Sequence, residues 1–104
     1  MRRVVFLAAA QADLVDILVR VTEASGSRAT GRRVVASLRA QCQKLAALPG
    51  TLGRPRPDLR PDIRSFPHRN YVIYFRARDD VLEVINVLHS RRDLADRFAA
   101  PEEP

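Results

Sequence analysis

Cysteine is almost absent from this chain of 104 residues: Cys42 stands alone, which excludes an internal disulfide. No Cys/His cluster has zinc spacing, and no two of Asp58, Asp62, Asp79 and Asp80 are placed as a metal pair; all four read first as turn residues. No metal and no cofactor is expected. No apolar run is long enough to cross a membrane. Neither an internal repeat nor a second domain is visible, so residues 1–98 read as one domain and residues 99–104, AAPEEP, as a frayed tail. A domain this small removes roughly 60–70% of its unfolded surface from water, enough for one core with little reserve. A partner that covers apolar surface would therefore matter for its stability.

Lysine is nearly absent too. Lys44 is one of 18 basic residues and the rest are Arg, against 12 acidic residues, giving a net charge of +6. Residues 1–49 carry eight basic and three acidic groups and residues 50–104 ten and nine, so the positive field is centred on the N-terminal half. Arginines that converge suit bidentate recognition of carboxylate or phosphate, while an arginine-biased composition accounts equally for scattered ones. Charge alone does not establish nucleic-acid binding. The first residues, with Arg2-Arg3 before an apolar Val4 to Ala10, have the outline of a signal peptide, but cleavage would remove a strand, Val4 to Leu7, that leads into a helix. Cytoplasm is the default compartment.

What is present is ordered. Leu14, Ile17, Leu18 and Val21 fall at i, i+3, i+4 and i+7, one stripe of a helix that Gly26 ends. Ser27 can cap a second helix, whose stripe is Val34 or Val35, Leu38, Cys42, Leu45 and Leu48 before Pro49-Gly50. Gly31 weakens its first turn. The short link makes the pair an antiparallel hairpin whose apolar faces need a sheet. Thr51 to Pro61, rich in proline, reads as an extended connector, and its Arg54, Arg56 and Arg60 as a solvated loop rather than an anion site. Three strand-like runs follow: Ile63 to Phe66, Tyr71 to Arg76 and Val81 to His89, with turns at Pro67 to Asn70 and Arg78 to Asp80. A short helix near Arg91 to Phe98 closes the order. The predicted architecture is α+β, β-α-α-β-β-β-α, with the hairpin on one face of a small, mostly antiparallel sheet. Strand alternation places Val81, Glu83, Ile85, Val87 and His89 on one face of the last strand, and Leu82, Val84, Asn86 and Leu88 on the other.

These residues carry a family resemblance. Ala12-Asp13-Leu14 with Ile17, Arg64-Ser65-Phe66-Pro67 followed by Tyr71-Val72-Ile73-Tyr74, and above all Val87-Leu88-His89-Ser90-Arg91-Arg92-Asp93 resemble the ParE branch of the ParE/RelE toxin superfamily, over about Val4 to Phe98. Ala8-Ala9 departs from the usual Ser-Pro after the first strand. The resemblance implies the toxin of a bacterial toxin–antitoxin pair, neutralised by a cognate acidic, ParD-like antitoxin. ParE-like members bind DNA gyrase and stabilise its cleaved-DNA complex; RelE-like members cut messenger RNA in the ribosome.

Metal-free RNA cleavage needs groups that activate the 2′-hydroxyl, stabilise phosphorane charge and protonate the leaving oxygen. The nuclease alternative would draw on Arg64, His89 and Arg91, but the chain offers Phe66, Tyr71 and Arg97 where further nuclease groups are expected. A gyrase-directed toxin without catalysis is the leading expectation, an endoribonuclease the second, and a degenerate antitoxin-binding partner the third. Target contacts are expected from Arg64, Arg69, His89, Arg91 and Arg92, and antitoxin contacts from Leu14, Ile17, Leu18, Val21, Val35 and Leu38. His89 has two readings: a group facing the site, or a strand-end residue bonded to backbone. Cys42, on an apolar stripe, reads as a small buried hydrophobe.

Overall fold

The computed structural model describes residues 2–48 and 52–91. The order is β1 (Arg3–Phe6), α1 (Ala8–Ser25), α2 (Arg28–Ala47), β2 (Arg54–Pro55), β3 (Arg64–His68), β4 (Tyr71–Arg78) and β5 (Val81–His89). The expected terminal helix, the tail, Arg92, Arg97 and the Pro49-Gly50 stop lie outside the described residues.

Both expected punctuation marks of the hairpin are used. Gly26 adopts φ 71° and its N–H donates to the Thr22 carbonyl, a left-handed C-cap that glycine enters without steric cost. Ser27 caps α2, its hydroxyl accepting from the Thr30 N–H at 3.2 Å. Gly31 has a role beyond the weakened turn foreseen for it. A Cβ there would lie 2.5 Å from Thr22 Oγ1 and 2.9 Å from the Leu18 carbonyl, so its bare backbone lets α1 and α2 cross closely. The Thr22 hydroxyl is buried at this crossing with no hydrogen-bond partner among the described residues.

The sheet runs β1-β5-β4-β3-β2; β1 lies parallel to β5, and every other pair is antiparallel. The meander therefore stands as expected, with three adjustments, the first being that β4 runs on through Ala77 and Arg78 and leaves Asp79-Asp80 as its turn. Arg54–Pro55 is a short edge strand on β3, where an element-free connector was expected. Proline is tolerated at a sheet edge because no neighbour needs its missing N–H, and Gly53 at φ 98° lets the chain press against Phe75 and the Ser65 carbonyl. The β3 strand also continues through Pro67 and His68, leaving Arg69-Asn70 as a two-residue turn with Arg69 at φ 56°. Pro67 lies beyond the reach of β2, which pairs only Arg64 and Ser65.

The hairpin covers one sheet face. Leu14, Ile17, Leu38, Cys42 and Leu45 pack with Ile73, Phe75, Leu82, Val84 and Val87, while Val4 and Phe6 join from β1. Leu48 departs from its expected stripe: it ends α2 and is 38% exposed. On the opposite face Ile63, Tyr74 and Leu88 form a smaller cluster with Leu59, Val72 and Ile85.

Simple alternation in β5 fails, and a bulge is the reason. Tyr74 pairs with Asn86 but Phe75 pairs with Val84, leaving Ile85 as an extra residue. Val87 consequently joins the hairpin-side core with Leu82 and Val84, while Ile85 joins the opposite cluster. Asp13 of α1 completes the bulge. Its Oδ2 accepts from the Val87 N–H at 2.9 Å and from Asn86 Nδ2 at 2.8 Å. The irregular backbone donor thus finds an acceptor from a helix rather than from a strand.

Candidate functional site

The groove between α1 and the ends of β4 and β5 is the site to which the most distinctive sequence motif leads. Its cavity, about 590 Å³, is lined on the helix side by Asp16, Arg20 and Val21 and on the sheet side by Tyr71, His89 and Arg91. Three features bring the sheet side together. Register sets Tyr71 opposite His89, and the bulge turns His89 to the hairpin face. The Ser90 N–H donates to the Asn70 carbonyl at 2.8 Å, which ties the strand end to the β3–β4 turn that carries Arg69.

Several polar groups in the groove have defined partners. The Arg91 N–H donates to His89 Nδ1 at 3.2 Å, so the neutral ring keeps its proton on Nε2. The Tyr71 and His89 rings meet edge to face, centroids 5.5 Å apart. Burial first, and the Asp16 carboxylate second, push the Tyr71 hydroxyl above its ordinary pKa, leaving it protonated at neutral pH. Asp16 is itself paired with Arg20 one turn on, Nε to Oδ2 at 2.9 Å. The groove therefore presents hydrogen-bond donors and cations on an apolar floor that includes Ile17 and Val87.

The expected site residues divide by location. His89, Arg91 and Arg69 share one end of the sheet. Arg64 does not: on β3 it pairs with Phe75, four residues from the His68–Tyr71 pair, or about 13 Å along the strand. Its guanidinium donates to the Gly53 carbonyl at 3.1 Å and fastens the edge strand. The nuclease set Arg64, His89 and Arg91 is thus not assembled. Arg92 is outside the described residues.

The expected antitoxin contacts also divide, because the α1–α2 stripe already has the sheet as its partner. Leu14, Ile17 and Leu38 are 2%, 5% and 1% exposed, buried against the sheet and closed to a partner in this conformation. Leu18, Val21 and Val35 are half-buried, and the exposed large apolar residues of α1 are Val15 and Val19.

Two further polar arrangements escaped the sequence reading. Ser37 of α2 and Nε2 of His68 lie 2.7 Å apart, and burial, aided by Arg69 and Lys44, holds His68 below its ordinary pKa. Arg76 pairs with Glu83 at 2.6 Å across β4 and β5, and reaches Asp62 at 3.8 Å. Cys42 is inert by environment, burial pushing its thiol up to about 12. Among the described residues no group of His, Cys, Asp or Glu is placed to hold a metal ion, and no helix is long and apolar enough to cross a membrane.

The family described as "ParE toxin of type II toxin-antitoxin system, parDE" matches residues 4–94. A solved structure titled "Chromosomal ParDE TA system from P. aeruginosa" shares the fold with a TM-score of 0.74 at 19% identity, over 86% of this chain and 96% of that one. No curated protein matches the sequence. The family match spans nearly the whole folded region, strand β1 through the corner after β5, and the chain belongs to the ParE toxin family of type II toxin–antitoxin systems.

Proposed function

We propose that this toxin acts by binding DNA gyrase and holding its cleaved-DNA complex, with no chemical step of its own, and that an acidic antitoxin silences it. The state of His89 carries the reading. General acid–base cleavage needs a base and an acid within reach of one ribose and phosphate. Here Nδ1 is occupied by the Arg91 N–H, Tyr71 holds its proton, and among the described residues lining the groove the carboxylate besides Asp13, Asp16, is paired with Arg20. Such a groove suits recognition of a surface better than paired acid–base cleavage. Arg64, which a nuclease set would draw on, is at the far end of β3.

Target contacts fall to the corner of Arg69, His89 and Arg91, with Arg92 following in sequence. Planar guanidinium donors there suit carboxylates on a protein target. The antitoxin is assigned to the α1 side, where Val15 and Val19 are exposed beside half-buried Leu18 and Val21. An acidic, initially disordered segment would fold as it covers this apolar surface, its encounter steered by the +6 net charge.

Induction of the toxin in growing bacteria tests the reading. DNA-damage signalling and filamentation are expected while total protein synthesis continues at first. An immediate arrest of translation without a DNA-damage response would transfer the assignment to the ribonuclease.

A further inference from the structure

Helix α2 carries five basic residues, Arg28, Arg32, Arg33, Arg39 and Lys44, and no acidic one in 20 residues. Its neighbour α1, of 18 residues, carries Arg20 against Asp13, Asp16 and Glu23. An arginine-biased composition accounts for Arg in place of Lys, but not for the missing acids on one helix. All five cations are exposed, and none is ion-paired with a carboxylate among the described residues.

Their order along the helix is not random. Arg28, Arg32 and Arg39 fall at i, i+4 and i+11, within about 40° of one another around the axis, and span about 16 Å of helix. The placement also works against the helix. No acidic residue occupies the first turn of α2, and Arg28 and Arg32 sit near the end where the backbone dipole is already positive. Local rules are broken in this way at functional sites.

We infer that the Arg28, Arg32 and Arg39 ridge of α2 docks on the phosphate backbone of duplex DNA. Duplex is specified because this inference rests on the gyrase reading, in which the toxin's target holds DNA. A protein partner is disfavoured by what the ridge lacks. Protein interfaces are anchored by buried aromatic and aliphatic side chains. Val35, between Arg32 and Arg39 on the ridge, is half-buried against the core, and the outward surface beside the ridge offers Ala36, Ala40 and Gln43, whereas the exposed valines belong to α1. One strand of duplex carries a charge every 3.4 Å or so, hence about five along the ridge, ample for three guanidinium groups. Arg39 is held in place by the Phe6 ring, its guanidinium carbon 5.0 Å from the centroid.

Binding of a labelled 20-base-pair duplex to the free toxin, followed by fluorescence anisotropy across a salt series, tests the inference. Each neutralised phosphate contributes a slope of about −0.9 to log K against log salt, so the triple variant Arg28→Gln, Arg32→Gln, Arg39→Gln should flatten the slope by about 2.7. The double variant Arg28→Gln, Arg32→Gln leaves the Phe6 contact intact and should flatten it by about 1.8, with Tm preserved because Gln matches Arg in helix propensity. Three results overturn the inference: no duplex binding at low salt, an unchanged slope in folded variants, or poly-glutamate of equal charge bound as tightly as duplex. The gyrase reading is scored separately. A toxin that binds duplex through this ridge yet yields no gyrase-dependent linear plasmid keeps the DNA contact and loses the gyrase target.

Discussion

Replacing Asp13 by Ala should damage the toxin more than truncating any other polar side chain of α1. Asp13 is 6% exposed, and one of its oxygens receives both the Asn86 amide at 2.8 Å and the Val87 N–H at 2.9 Å. Alanine leaves two buried donors without that acceptor, each costing about 1–3 kcal/mol, so the total comes to about 2–6 kcal/mol. Whole-domain stability is only about 5–15 kcal/mol. For a domain of this size the loss lowers Tm by roughly 10–30 °C. The bulge that Asp13 stabilises also sets which face Val87 and His89 occupy, so the variant should lose groove geometry along with stability. Thermal unfolding followed by circular dichroism, with Asn86→Ala and the double variant completing a cycle, measures the coupling between the two side chains. A folded Asp13→Ala protein melting within about 3 °C of the parent would refute this account of the bulge.

Gly31→Ala pits a helix-propensity gain of about 1 kcal/mol against overpacking on the Leu18 carbonyl, a backbone atom that cannot rotate aside; Tm should fall, and a rise would show that the helices separate freely. His68 has a folded pKa below its ordinary 6.5, so the unfolded chain takes up the proton first as the pH drops. Its contribution is therefore complete above about pH 6.5 and lost on acidification below it, and Tm should fall less between about pH 7.5 and 5.5 in His68→Gln than in the parent. His89→Gln, which keeps one hydrogen-bonding group but moves no proton at neutral pH, should retain most toxicity, whereas a nuclease would lose roughly two to four orders of magnitude. A folded, antitoxin-binding His89→Gln variant with no toxicity would end the non-catalytic reading.

Much of the fold was legible because its signals are local. The stripe Leu14, Ile17, Leu38 and Cys42, the Gly26 stop and the Ser27 cap each follow from spacing within one element, and they stand where the pattern puts them. Strand β5 was legible in its bounds, Val81 to His89, but not in its faces. A bulge depends on the partner strand and on a helix residue 73 positions away in sequence, Asp13, and neither is encoded in the β5 alternation itself. The Arg54–Pro55 edge strand was hidden for a similar reason: two residues with proline carry no strand signal until Ser65 and Arg64 pair with them.

The site was legible as a place and not as an arrangement. The motif around His89 and Arg91 marked the corner. The groove's other wall, Asp16 and Arg20, reads in sequence as an ordinary i,i+4 ion pair on a solvated helix. Leu14, Ile17 and Leu38 were right as an apolar stripe but point to the sheet, because periodicity identifies a face without naming what covers it.

Gyrase-dependent DNA cleavage tests the central claim most directly. Purified toxin is incubated with gyrase, supercoiled plasmid and ATP, the reaction is denatured and digested with protease, and the plasmid is resolved by electrophoresis. The account predicts linear plasmid that rises with toxin dose and disappears when the antitoxin is added, while ribosome-bound message in a parallel reaction stays intact. A folded toxin that yields no linear plasmid but cuts message at codon-set positions would contradict it.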